Sequence, residues 1–127
     1  MHRKYLLLSF VALGILAASC SQQPPYSLKT LPSGHAIKIA GVSRMAFSGG
    51  DQTLMLKYYS DIDFTKRAEL KAEVEEIWQQ FRKDVEQANL NSAIISANQM
   101  PHGMFSSTQG WNFVYEKKPD GNWILKE

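Results

Sequence analysis

The chain has 127 residues, 14 Lys+Arg against 12 Asp+Glu, and a single cysteine. That length holds one domain and no more. One cysteine excludes an internal disulfide, and so small a charge excess offers no basic patch for nucleic acid.

The chain opens with a basic head, Met1-His2-Arg3-Lys4, followed by a run from Tyr5 to Ala18 broken only by Ser9 and Gly14. Basic head, apolar run and small-residue end are the parts of a secretory signal peptide. At 14 residues the run is shorter than the roughly 20 that a membrane-spanning helix needs. Its end, Leu16-Ala17-Ala18-Ser19-Cys20, resembles the lipobox of bacterial lipoproteins. In that family the usual Leu stands three places before the cysteine; here that place holds Ala17, with Leu16 one further back.

The resemblance covers residues 1–20 only. It implies removal of residues 1–19, a diacylglyceryl group on Cys20 and acylation of the new amino terminus. Ser21 in place of the Asp that retains such proteins at the inner membrane implies delivery to the outer membrane, facing the periplasm. A cut before Cys20 would leave 108 residues with 12 basic and 12 acidic side chains. Multiple acyl chains anchor stably where a single one holds weakly.

Residues 20–34 carry three prolines and three serines with little periodicity, and read as a flexible tether. The domain is then expected over 35–127. Residues 36–47 alternate in period two, with Ile37, Ile39, Gly41, Ser43, Met45 and Phe47 on one face, and predict a strand. Ser48-Gly49-Gly50-Asp51 is a turn, and Leu54, Leu56 and Tyr58 alternate in a second strand that completes a hairpin.

Asp63 or Thr65 is placed to cap a helix over 64–89. Its apolar stripe is Leu70, Val74, Ile77, Trp78, Phe81, Val85 and Ala88, and its end falls at Asn89 or Asn91. Ala93 to Ile95 predict a strand over 92–97, with a loop over 98–110. Trp111, Phe113 and Tyr115 alternate in the next strand, Lys118-Pro119-Asp120-Gly121 turns the chain, and Trp123 to Leu125 return it. The order ββαβββ predicts an α+β fold: a two-layer sandwich, an antiparallel sheet with one long amphipathic helix on one face.

Candidate chemistry is sparse. Met100, His102 and Met104 place two thioethers and an imidazole within five residues, a soft donor set suited to Cu(I) or Ag(I). Glu73, Glu75 and Glu76 are expected on the helix's solvated face, with ion pairs such as Lys71–Glu75 and Arg82–Glu86 at four-residue spacing. His35 and His102, with Asp51 and Asp61, leave open a hydrolase with an unrecognised site, although no Gly-x-Ser-x-Gly nucleophile motif is present. Tyr59, Trp111, Tyr115 and Trp123 are the aromatic residues expected to offer a surface to a partner. The composite expectation is a lipid-anchored envelope protein acting as a noncatalytic accessory or interaction module, with the periplasmic metal binder and the hydrolase as its rivals.

Overall fold

A computed structural model of the chain describes residues 25–101 and 109–126. The elements run β1 (Ser27–Thr30), β2 (Ala36–Ala46), β3 (Gln52–Ser60), α1 (Arg67–Gln87), β4 (Ser92–Gln99), β5 (Gly110–Lys117) and β6 (Trp123–Lys126). The six strands form one sheet in the order β1-β2-β3-β4-β5-β6. Every neighbouring pair is antiparallel except β3 and β4, which run parallel.

The parallel pair corrects the all-antiparallel expectation. Parallel neighbours need a crossover of a dozen residues or more, and α1 supplies it. The fold is therefore α+β with a mixed sheet, and the helix packs against the sheet through one apolar stripe.

β1 is a second departure. Ser27–Thr30 falls inside the segment read as tether, yet it pairs with β2 from Ser27↔Ile39 to Thr30↔Ala36. Leu31, next in the chain, is buried in the core. Ordered structure therefore starts well before residue 35.

The β2–β3 hairpin forms where the glycines place it, with Ala46 opposite Gln52. Phe47 N–H donates to Asp51 O and Gly50 N–H to Phe47 O, and the turn closes through Gly50 at φ 85°, a conformation glycine adopts without strain. A register shift between Ile39 and Gly41 leaves Ala40 as a bulge. Beyond it the facing of β2 inverts. Ile37 and Ile39 face the helix with Tyr58, whereas Ser43 and Met45 lie with Met55 and Thr53 on the opposite face. The single alternating face expected over 36–47 is thus two half-faces.

The core lies between α1 and the sheet. Leu70, Val74, Ile77, Trp78, Phe81 and Val85 pack on Leu56, Tyr58, Ala93, Ile95, Phe113 and Tyr115. The Trp78 ring stacks on Tyr115 at 4.1 Å and 9°, and meets Trp123 edge-on at 5.0 Å. Such pairs add about 0.5–1.5 kcal/mol beyond their burial.

The helix ends differ from each other. Asp63 Oδ1 accepts from Thr65 N–H and Oγ1, both at 2.9 Å, which orders the turn before α1. The N-cap residue itself is Lys66, with no side-chain capping bond, so neither expected cap operates. At the other end Asn89 is left-handed at φ 57°. Leu90 N–H bonds Val85 O and Asn89 N–H bonds Glu86 O, the paired bonds that satisfy the last carbonyls.

Candidate functional site

The polar heart of the described structure is Glu73, a residue only 6% exposed. It sits three residues after Leu70 and four before Ile77, so helical geometry turns it toward the sheet with the apolar stripe. This corrects its assignment to the solvated face. Glu75 does stay exposed, and the expected Arg82–Glu86 pair forms at 2.6 Å.

Tyr58 Oη donates to Glu73 Oε1 at 2.8 Å and Ser60 Oγ donates to the same oxygen at 2.7 Å. His35 Nε2 faces Oε2 at 2.9 Å, with the imidazole half exposed. One turn on, Glu76 Oε1 accepts Ser33 N–H at 2.9 Å. The Ser33 side chain, and then that N–H, hold the Glu76 carboxyl below the usual carboxylate range. The β1–β2 turn is thereby tied to α1 at two points, and β3 to α1 at a third.

A buried carboxylate beside a histidine is the arrangement that orients an imidazole for proton transfer. The cluster here is closed differently. Both hydroxyls near Glu73 donate to the carboxylate, and among the described residues the His35 ring bonds Glu73 and no hydroxyl. Burial, and then the negative charge of Glu73, push the Tyr58 phenol far above its ordinary range, so it stays a protonated donor. The chemistry these contacts perform is the satisfaction of a buried charge by three partners.

The residues expected at a partner surface do not come together. Tyr115 is buried under α1 and Trp123 is half-buried beside Trp78. Tyr59 lies opposite Lys38 and next to Asn98 on the other face of the sheet. Trp111 alone is substantially open, at 43% exposed, and the Arg67 guanidinium lies 3.4 Å over its ring. That cation–π contact joins the first residue of α1 to β5, while Asn98 and Gln99, expected in a loop, extend β4, and Gly110 begins β5.

Of the proposed soft-metal set, Met100 is half-buried just past β4, while His102 and Met104 lie outside the described residues, as does Cys20. Among the described residues no group of three or more His, Cys, Asp or Glu side chains could hold a metal. None of the described helices is long and apolar enough to cross a membrane.

At the opposite end of the sheet from Glu73 lies an open groove of about 770 Å³. Phe47, Gln52, Asn89, Asn91, Ile94 and Glu116 are among its lining. It brings together the hairpin turn and the end of α1, a juxtaposition without a local sequence signal. Glu73 had one: its three- and four-residue spacing from Leu70 and Ile77.

Searches against protein-family models, curated proteins and solved structures find no match to this chain.

Proposed function

We propose that the chain is a small lipid-anchored protein of the bacterial envelope, held through Cys20 at the outer membrane, whose domain is a noncatalytic accessory module for an envelope protein partner. The anchor half of this reading rests on the basic head, the apolar run and Leu16 to Cys20. In it the domain is a two-layer sandwich with one layer of sheet and one of helix.

The observation that carries the module half is the Arg67–Trp111 corner. An exposed tryptophan under an arginine combines the residue types that most often dominate protein interfaces. The Glu73 cluster supports the same reading from the other side, since its hydroxyls are committed to holding three elements together.

Two measurements test it. Cys20→Ala is expected to release the protein from the membrane fraction; retention there overturns the anchor. A photoreactive side chain at position 111 in intact cells is expected to yield one discrete protein adduct that Arg67→Glu abolishes, with none from position 83 on the exposed side of α1. Equal labelling from both positions, or from neither, overturns the module.

A further inference from the structure

The face of the sheet turned away from α1 carries one apolar row and one mixed row. In one, Met55, Ile94 and Val114 stand side by side on β3, β4 and β5, with Ser43 and Lys126 at its ends. In the other, Leu28, Lys38 and Tyr59 lie across β1, β2 and β3. Lys57 and Ser96 stand side by side between the rows. Leu28 is 69% exposed, and Tyr26 beside it is 38% exposed with the Lys38 ammonium 5.8 Å from its ring centre. Met55, Ile94, Val114 and Ile124 are all partly exposed and belong to no part of the core between sheet and helix.

β1 also fixes how far this face can stand from an anchor at Cys20. Because Ser27 already pairs with Ile39, seven residue steps of chain, not fifteen, separate the sheet from Cys20. Seven residue steps span at most about 25 Å. Six strands about 4.8 Å apart make a sheet of similar width, so every part of this face lies within reach of the bilayer.

We infer that the helix-free face of the sheet, led by Tyr26 and Leu28, lies on the surface of the bilayer that holds the lipid anchor. The inference rests on the proposed lipidation of Cys20. The chemistry of the face suits the boundary between headgroups and acyl chains. Leu28, Met55, Ile94 and Val114 supply apolar contact, Tyr26 and Tyr59 carry rings with polar tips, and Lys57 extends an ammonium group on a long apolar stem, while Lys38 pairs with Asp61 at 3.2 Å and Lys126 with Glu116 at 2.7 Å, so the charges at this face are largely balanced. A water-soluble protein partner would be met by a drier, less lysine-rich centre. With this face down, α1 points away from the membrane and the Arg67–Trp111 corner stands at the rim.

The test uses the full chain, processed in cells and reconstituted in vesicles of phosphatidylethanolamine and phosphatidylglycerol. Lys57→Cys and Lys83→Cys each carry an environment-sensitive fluorophore, and brominated lipids serve as the quencher. Quenching is expected to be several-fold stronger at 57 than at 83, and to fall at 57 when Leu28→Asp is added. The mass of the Cys20 peptide separates the two readings. No lipid mass overturns the anchor and this inference with it. Lipid mass with equal quenching at the two sites, or stronger quenching at 83, overturns the orientation alone. A blue-shifted but unquenched probe at 57 shows protein over the face and also overturns it.

Discussion

Tyr58 and Tyr115 both bury their phenols beneath α1, but only Tyr58 finds an acceptor, Glu73 Oε1 at 2.8 Å. The Tyr115 hydroxyl is buried without a hydrogen-bond partner among the described residues. The two Tyr→Phe substitutions should therefore differ in sign. Tyr58→Phe removes a donor from a buried carboxylate and is expected to cost about 1–3 kcal/mol, whereas Tyr115→Phe removes an unpaired polar atom and is expected to be neutral or stabilising by up to about 1 kcal/mol. Urea unfolding of the two variants measures both; equal destabilisation would contradict the assignment.

Glu73 joins three elements, so removing it should act on all of them. Glu73→Ala leaves the Tyr58 and Ser60 hydroxyls without an acceptor and opens space beneath the helix, for an expected loss of about 3–5 kcal/mol. Glu73→Gln preserves the shape and one acceptor oxygen and should cost about 1–3 kcal/mol. His35→Ala removes a partner from the exposed side and should cost less than Glu73→Ala. Thermal unfolding ranks the three, and His35→Ala proving the worst would sink the clamp.

Much of the fold is readable because its signals are local. The hairpin is written in Gly49-Gly50 between alternating residues, the helix in the spacing from Leu70 to Val85, and its end in Asn89. What escaped depends on partners distant in sequence. Ser27–Thr30 is only four residues long, with Leu28 its one apolar side chain, and becomes a strand because β2 lies beside it. The parallel pairing of β3 with β4 depends on where a 21-residue helix returns the chain. The bulge at Ala40 moves Met45 to the face opposite Ile37, and its one local mark was Gly41 beside it, a glycine inside a strand pattern. Glu73 is the instructive case, since residue type argued for solvent while spacing argued for the core, and spacing prevailed because three partners wait there.

The left-handed Asn89 sets a small, signed test at the end of α1. Asn89→Gly relieves the steric cost of a side chain at positive φ and should be neutral or slightly stabilising, while Asn89→Val adds a β-branched side chain there and should cost about 1–2 kcal/mol. Unfolding midpoints for the pair, with circular dichroism to confirm unchanged helix content, check it. A Val variant as stable as the Gly variant would show that this end carries no backbone strain.

Stability should also fall in alkali, for reasons the two tyrosines share. Burial, and then the charge of Glu73, raise the Tyr58 phenol. Burial, and then the charge of Glu75, raise that of Tyr115. Both groups hold their protons in the folded chain at a pH where the unfolded chain has released them. A raised folded-state pKa means that this stability is complete below the ordinary tyrosine pKa of about 10 and declines as pH rises above it. Urea midpoints followed from neutral pH into strong alkali should hold steady until the tyrosine range and then drop. Tyr115→Phe, which keeps the Glu73 clamp intact, should make that drop shallower by one titrating group. An unchanged slope in Tyr115→Phe would mean that its phenol ionises as readily in the folded chain as in the unfolded one.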